Sequence, residues 1–509
     1  MPGAPVWSVD PRTAEPREQV AFEATPADVD AAVRAAHASR GSLADRAGRA
    51  AFLRAAAVGL EADRDALVAA ADAETALGRS RLTGELARTC TQLRAFADVV
   101  DAGEFLDVVI NHPDPDLVPP VPDLRRYKVP LGVVAVYAAS NFPFAFSVPG
   151  GDTASALAAG CPVVVKAHPD HPATSRLAAE ALRRAAARCG LPEDVVQVVH
   201  GFDAGVDLIR HALVAAAGFT GSVRGGRALY DAAASRPVPI PFHGELGSLN
   251  PVVVTESAAA ERAEEIGETL AGSVTLGHGQ FCVKPGLVLV PAGEPGDRLV
   301  DALSTALEKT AAGVLLDHRM RDAYLTGMAQ RAGLPGVASL VAADADGDHA
   351  VRAGLLTLPA ALLADGDTHH ALLEECFGPG TVVARYADLD QAYAVLDRLP
   401  GNLTAALQVS AREADEGLAA TAILPRLTGI AGRVVVNAWP TGVAVAAAQH
   451  HGGPYPATTS TSSSVGATAI ERWLRPIAYQ NTPQALLPPE LRNDNPLRLP
   501  RKVIGHPAA

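Results

Sequence analysis

The middle of the chain alternates short runs of β-branched apolar residues with longer stretches of helical periodicity. The runs that predict strands lie at 133–136, 162–166, 195–199 and 215–219, and helical stretches near 149–159, 173–188 and 204–212 separate them. This rhythm is typical of βαβ units, so it predicts a parallel sheet with helices on both faces. Sheets of this kind bind ligands at the carboxyl ends of their strands.

A second α/β rhythm begins near residue 251. It predicts helices near 258–272 and 296–312 and strands at 286–290 and 434–437. Ahead of both sheets, residues 26–64 and 66–100 have helical periodicity, whereas the proline-rich segment 111–124 predicts an extended excursion or an edge hairpin. The polar run 458–464 is interpreted as a surface loop. A chain of 509 residues is also long enough for two or three domains.

Composition narrows the class of protein. The net charge of −13 is spread along the chain without a basic stripe, which argues against a nucleic-acid partner. The five cysteines include no closely spaced pair and are odd in number, so we expect reduced thiols and a cytoplasmic location. We expect no membrane association and no secretory signal, because the sequence shows neither a continuous apolar span nor a basic segment followed by an apolar core.

Three residues stand out as candidates for chemistry. Cys282 lies in a short glycine-containing loop before a predicted strand, although a free cysteine is more often a buried structural residue. Glu245 is flanked by glycines between apolar runs, and it is either a solvated or capping acid or a general base with a raised pKa. Asn141 follows the first strand of the parallel sheet, and it is either a turn residue or an oxyanion donor.

Two further segments are candidates for binding a nucleotide. Thr220, Gly221 and Ser222 form a small-residue turn between a predicted strand and a helix, and such a turn can hold a pyrophosphate at the helix N-terminus. The spacing is not GxGxxG, so this signal is weak by itself. The segment 374–379 is a turn with two acidic residues at its start.

Together these motifs resemble the aldehyde dehydrogenase superfamily, in the family's order and over nearly the whole chain. The resemblance rests on Asn141-Phe142-Pro143, Val165-Lys166, Phe219-Thr220-Gly221-Ser222, Glu245-Leu246-Gly247, Gly279-Gln280 with Cys282, Glu375 with Phe377-Gly378-Pro379, and Asn437. Gly150-Gly151-Asp152-Thr153 and His451-Gly452-Gly453-Pro454 are most similar to α-ketoglutaric semialdehyde (2,5-dioxovalerate) dehydrogenases and to NADP-dependent fatty aldehyde dehydrogenases.

The resemblance implies a fold, with boundaries. It implies an α/β aldehyde dehydrogenase fold with a Rossmann-like nucleotide-binding domain (1–106 and 128–246) and an α/β catalytic domain (247–446). A small β oligomerisation arm with a C-terminal tail (107–127 and 474–509) implies a homodimer or homotetramer.

The resemblance also implies a reaction. Cys282 would attack the aldehyde, Asn141 and the Cys282 backbone N–H would hold the oxyanion, and Glu245 would activate the water that hydrolyses the thioester. The cofactor would contact Lys166, Pro169, Thr220, Gly221, Ser222, Gly226, Glu375 and Phe377. Pro169 occupies the position where NAD-preferring members usually place a glutamate, which slightly favours NADP over NAD. No metal is expected.

The substrate remains open between α-ketoglutaric semialdehyde and a fatty or other aliphatic aldehyde. Phe142, Phe146, Phe281 and Trp439 suggest a partly apolar pocket wall, whereas Arg125 and Arg126 are interpreted as surface arginines. Three alternatives to a hydrolytic enzyme are weaker. Glu245 argues against an acylating dehydrogenase that uses coenzyme A, the intact candidate set argues against a non-catalytic nucleotide-binding scaffold, and a cysteine hydrolase with His278 as base lacks an orienting acid.

Overall fold

The computed structural model describes residues 3–417 and 420–505. Residues 1 and 2 of the predicted nucleotide-binding domain, 418 and 419 of the predicted catalytic domain, and 506–509 of the predicted tail lie outside the described residues.

The N-terminal part is a β-hairpin followed by four helices. They are β1 (Pro5–Asp10), β2 (Glu15–Phe22), α1 (Pro26–Ser39), α2 (Arg46–Ala62), α3 (Arg64–Thr75) and α4 (Arg79–Ala102). The predicted helix 26–64 is divided, because Asp45 accepts hydrogen bonds from the backbone N–H groups of Ala47 and Gly48 and so starts α2 anew. The predicted helix 66–100 is divided too, where Ala76 adopts a left-handed conformation (φ 54°) and ends α3.

The next two strands, β3 (Val108–Asn111) and β4 (Leu124–Pro130), enclose the proline-rich segment. Within it, Asp114 and Val121 form an isolated antiparallel bridge. The segment is therefore an irregular hairpin, as its prolines predict, because proline cannot donate to a regular ladder.

The first large sheet is parallel, as predicted. Its elements are β5 (Val133–Tyr137), α5 (Gly151–Ala159), β6 (Val163–Lys166), α6 (Pro172–Arg188), β7 (Val196–Val199), α7 (Phe202–Arg210), β8 (Val214–Thr220), α8 (Val223–Ala234) and β9 (Phe242–Glu245), with the strand order β7-β6-β5-β8-β9. Alternate residues of β5 enter different hydrophobic clusters, with Val134 on one face and Ala135 on the other. Helices cover both faces, so every residue of the central strand β5 is buried.

The second large sheet has the strand order β13-β16-β17-β11-β10-β18-β19. Its region contains β10 (Val252–Val254), α9 (Glu256–Thr275), β11 (Leu287–Pro291), α10 (Glu294–Glu308), β12 (Gly313–Val314), α11 (His318–Ala332), β13 (Ala338–Val341), β14 (Ala345–Asp346), β15 (Ala350–Val351), β16 (Gly354–Pro359), α12 (Ala361–Ala364), β17 (Gly380–Tyr386), α13 (Leu389–Leu396), β18 (Asn402–Gln408), α14 (Ala411–Glu416), α15 (Ala420–Ile430) and β19 (Ala431–Val436). The strands pair in parallel except at the edge, where β13 runs antiparallel to β16. Mixed sheets with one antiparallel edge strand are common in α/β folds.

The C-terminal segment returns to the proline-rich region. Strands β20 (Leu474–Gln480) and β21 (Arg501–Ile504) complete a sheet of order β20-β4-β3-β21. Arg125 in β4 is 2% exposed and donates to Asp123, to the Leu491 carbonyl and to Asn493. The prediction of Arg125 as a surface arginine is wrong, because its side chain binds the C-terminal tail to this sheet. Arg126 does lie at the surface, in an ion pair with Asp107.

None of the helices that the structure describes is long and apolar enough to cross a membrane.

Candidate active site

Cys282 is held on a loop whose backbone is fixed from several directions. The loop enters through Gly279 (φ 69°), where a β-carbon would lie 2.3 Å from the Gly378 carbonyl, so only glycine fits. The Asn250 side chain donates to the carbonyls of Cys282 (2.9 Å) and Lys284 (3.0 Å). These contacts hold the loop in position, and Cys282 itself is half-buried.

A histidine that the sequence analysis did not select lies against this thiol. His451 Nε2 is 3.6 Å from Cys282 Sγ and 3.0 Å from Glu245 Oε1. The imidazole is almost fully buried. The Cys282 sulfur, a Glu245 carboxylate oxygen and a His451 ring nitrogen all lie within 4.8 Å of one another. In the sequence, His451 stands out only as part of a run that carries the resemblance. Because 169 residues separate it from Cys282, no local pattern indicates that the two side chains meet.

Glu245 ends β9, and a segment far along the chain covers it. Ser464 Oγ donates to Glu245 Oε2 (2.9 Å), and Thr458 pairs with Glu245 in a backbone bridge. The prediction of a surface loop over 458–464 is therefore wrong. Ser464 is only 7% exposed, because the polar side chains of this segment satisfy buried polar groups beside β9 rather than facing water.

The neighbours of Glu245 and Cys282 shift the pKa values of the two side chains in opposite directions. Burial raises the pKa of Glu245, but the charge and hydrogen bond of His451, with the hydrogen bond from Ser464, outweigh burial and leave the pKa below its usual value. The prediction of a raised pKa for Glu245 is therefore wrong. Burial and the neighbouring Glu245 carboxylate together raise the pKa of the Cys282 thiol well above its usual value. The resting site thus pairs an ionised carboxylate with a protonated thiol.

Asn141 follows β5, as predicted, and the loop that carries it is braced by helix α4. Arg81 Nη2 donates to the Asn141 carbonyl (2.7 Å), and Glu85 Oε1 accepts from the backbone N–H groups of Phe144 (2.8 Å) and Ala145 (2.9 Å). The Asn141 side-chain amide donates to the Gln280 carbonyl (3.1 Å), two residues before the thiol. This hydrogen bond joins the loop of the oxyanion candidate to the loop of the nucleophile candidate.

A cavity of about 510 Å³ opens between the ends of the first sheet and the Cys282 loop. It is lined by the predicted cofactor residues Lys166, Pro169, Thr220, Gly221, Ser222, Glu375 and Phe377, together with Asn141, Glu245 and Cys282. Gly226 is buried below it, where a β-carbon would lie 2.0 Å from Leu246 Cδ2, so this glycine permits packing.

The residues of the cavity fit a dinucleotide. Ser222 accepts a hydrogen bond from the Gly225 N–H (3.2 Å) and caps α8, whose N-terminus is exposed at the cavity and suits a phosphate. Lys166 lines the cavity, and burial lowers the pKa of its ammonium group. Burial raises the pKa of Glu375 to about 7, and Gly247 leaves the space that its carboxylate occupies.

The four predicted pocket residues do not form one wall. Phe142 lies 5.4 Å from Phe146 and 5.2 Å from Phe281 between ring centroids, and Phe146 lies 6.0 Å from the His451 ring. Trp439 packs on the separate hydrophobic cluster formed around α9 and α10.

His278 does not act as the hypothesised base for Cys282 in this arrangement. It packs against Gly313, where a β-carbon would lie 1.9 Å from His278 Nδ1.

The comparisons with known proteins agree with this geometry. The model of the aldehyde dehydrogenase family matches residues 3–475. Over 503 residues the chain is 46% identical to alpha-ketoglutaric semialdehyde dehydrogenase 2 of Azospirillum brasilense, covering 97% of this chain and 95% of that protein. It is 38% identical over 504 residues to alpha-ketoglutaric semialdehyde dehydrogenase of Acinetobacter baylyi, covering 98% and 95%.

Solved structures show the same fold. An aldehyde dehydrogenase from Bacillus cereus in complex with NAD+ superposes with a TM-score of 0.77 at 21% identity, covering 94% of this chain and 93% of that one.

The two α/β sheets and the cavity at the end of the first are typical of a nucleotide-binding α/β protein. The chain belongs to the aldehyde dehydrogenase family. It is an oxidoreductase that acts on aldehydes with NAD or NADP.

Proposed function

We propose that this enzyme oxidises α-ketoglutaric semialdehyde to 2-oxoglutarate through a thioester on Cys282. The substrate is inferred from the two relatives of that name, which match nearly the whole chain at 46% and 38% identity. The observation that carries the hydrolytic outcome is the buried Glu245 carboxylate, held by His451 and Ser464 beside the thiol. An acylating enzyme that uses coenzyme A would not need this base.

In the first half of the reaction, the Cys282 sulfur forms a bond to the aldehyde carbon. The thiol proton passes to solvent in the cavity that Cys282 lines, because His451 Nε2, 3.6 Å from the sulfur, already carries the N–H that it donates to the Glu245 carboxylate. The side-chain amide of Asn141 and the backbone N–H of Cys282 stabilise the oxyanion. When bound, NAD(P)+ supplies the acceptor for the hydride that leaves this carbon. The C=O bond then re-forms as a thioester.

In the second half, Glu245 removes a proton from a water molecule that attacks the thioester carbon. The C–S bond breaks, the carboxylic acid leaves, and the Cys282 sulfur recovers a proton. A carboxylate with a lowered pKa is ionised at neutral pH and is available for this role without prior deprotonation.

For the cofactor, we propose that Lys166 contacts the adenine ribose and that the turn Thr220-Gly221-Ser222 binds a phosphate. Glu375 then binds the nicotinamide ribose, and Phe377 packs near the ring. Pro169 contributes no carboxylate that would repel a 2′-phosphate, so a slight preference for NADP is expected. The domain boundaries given above remain part of this proposal.

We also propose a cytoplasmic homodimer or homotetramer. Five unpaired thiols suit a reducing compartment. The sheet β20-β4-β3-β21 ends in strands β20 and β21, whose outer edges could pair with strands of a second copy of the chain.

The proposed substrate is tested by comparing kcat/KM for α-ketoglutaric semialdehyde, succinic semialdehyde and a fatty aldehyde, each with NAD+ and NADP+. We expect the first to be the best substrate, and the Cys282→Ala variant to be inactive on all three while still binding cofactor. A higher kcat/KM for the fatty aldehyde would favour the second candidate, for which the rings of Phe142, Phe146 and Phe281 would form an apolar wall. An acyl-CoA product in the presence of coenzyme A would refute the hydrolytic reaction.

A further inference from the structure

Helix α4 places two arginines on one face, close to the reactive thiol. Arg81 and Arg88 are seven residues apart, with Glu85 between them on the same face. The Arg81 guanidinium carbon lies 4.6 Å from the ring centroid of Phe281, and that of Arg88 lies 5.7 Å from the ring centroid of Phe146. Both rings adjoin the site, because Phe281 precedes Cys282 and Phe146 lies 6.0 Å from the His451 ring.

Neither arginine forms an ion pair in the part of the chain that the structure describes. Their hydrogen bonds go to the carbonyls of Asn141 and Val443 and to the Gln92 side chain, not to carboxylates. The buried Glu85 carboxylate acts on both charges at longer range, while its Oε1 accepts from the backbone N–H groups of Phe144 and Ala145. Arg94 of the same helix behaves differently, because it makes a double hydrogen bond with Glu61.

Several of their N–H groups are also buried without an acceptor. Within the described chain these are Nε and Nη1 of Arg81 and Nη2 of Arg88. A buried donor that bonds to nothing is destabilising, and more so when it carries charge, because its lost hydration is not replaced. Burial also lowers the pKa of Arg81 and of Arg88, which shows that both cations have lost much of their solvation. An anionic ligand would restore both the hydrogen bonds and the charge balance.

The remaining hydrogen bonds distinguish the roles of the two arginines. Arg81 Nη2 holds the Asn141 carbonyl, so Arg81 positions the oxyanion candidate. Arg88 Nε donates to the Val443 carbonyl (3.0 Å), which fixes the guanidinium while leaving Nη2 for a ligand. Neither arginine lines the cavity that contains Lys166 and Ser222, so a cofactor phosphate does not explain them.

We propose that Arg88, assisted by Arg81, binds the carboxylate of a semialdehyde whose aldehyde carbon reaches Cys282. This inference rests on the proposed function and adds the residue that selects a carboxylated aldehyde over an uncharged one. Guanidinium groups suit this role because their planar donors match a carboxylate and they stack on aromatic rings. The aromatic group around Phe146 then serves as the support of the arginines as well as an apolar wall.

The test compares two five-carbon aldehydes, α-ketoglutaric semialdehyde and pentanal, in wild-type enzyme and in Arg88→Gln. We expect the ratio of their kcat/KM values to fall roughly tenfold to a hundredfold in the variant, mainly through the KM of the semialdehyde. Inhibition by 2-oxoglutarate, the proposed product, should weaken by a similar factor. Arg94→Gln, on the same helix but paired with Glu61 near the surface, is the matched control and should leave the ratio as in wild type.

Arg88→Lys provides a second variant if the glutamine variant is unstable, and it should recover part of the ratio because the charge returns without the planar donors. Equal losses for both aldehydes, or an unchanged ratio, would overturn the role of Arg88. A wild-type enzyme that prefers pentanal would instead refute the proposed substrate, so the two failures are distinguishable.

Discussion

Replacing Glu245 with glutamine should separate acylation from hydrolysis. The side chain is 3% exposed, with Oε1 3.0 Å from His451 Nε2 and Oε2 2.9 Å from Ser464 Oγ. Glutamine has the same shape and can still bond to both neighbours, so the fold should persist. What it loses is the negative charge and the capacity to remove a proton from water.

The two halves of the reaction should respond in opposite directions. Steady-state turnover should fall by about 10² to 10⁴, the contribution that a general base typically makes. Acylation should survive, because the Glu245 charge is one of the causes that raise the pKa of Cys282. Without that charge the thiol pKa falls, and the pH at which acylation becomes fast should fall with it.

Stopped-flow absorbance of reduced cofactor measures both halves at once. The variant should release about one reduced cofactor per active site in a burst and then turn over slowly, at each pH between about 6 and 9. Glu374→Gln is a matched control, since Glu374, the neighbour of Glu375, is exposed and its side chain pairs only with His370 in the described chain. A burst that declines as much as the steady state would refute this reasoning and place Glu245 in the activation of the thiol.

Three further results are expected. Asn141→Ala should lower kcat by roughly 10²–10³, as for loss of one oxyanion donor, and an unchanged kcat would remove Asn141 from the mechanism. Because the pKa of Glu375 is about 7, its carboxylate forms as the pH rises through 7. NAD(P)+ binding to Cys282→Ala, followed by fluorescence, should therefore tighten over that range, and Glu375→Gln should abolish the pH dependence. Arg125→Met should reduce the free energy of unfolding by about 3 kcal/mol in urea titrations, whereas Arg126→Met, whose ion pair is exposed, should cost less than about 1 kcal/mol. Equal effects of the two arginine substitutions would contradict the structural role of Arg125.

Much of the fold follows from local sequence. Runs such as 133–136 and 163–165 are apolar at every position, a pattern typical of strands buried on both faces. The βαβ rhythm then requires the carboxyl ends of the strands to share one edge. Asn141, the turn 220–222 and Glu245 each follow or end a strand, so their approach to one another could be predicted.

The ends of helices and the contacts between distant segments were harder to predict from sequence. The break between α1 and α2 depends on a single capping residue, Asp45, inside a long stretch of continuous helical periodicity. The prediction of Arg125 as a surface residue was wrong because its partners, Leu491 and Asn493, lie more than 360 residues further on.

The sequence by itself determined the α/β fold, the position of Asn141 and Glu245 at strand ends, and the protein family, whose motifs include Cys282. Only the tertiary structure decided that His451 contacts both Cys282 and Glu245, that Ser464 is buried beside them, and that Arg88 lies beside the site without an ion pair in the described chain. The physical reason is that hydrophobic periodicity specifies which face of an element is buried, whereas the polar groups that meet there depend on how distant elements pack.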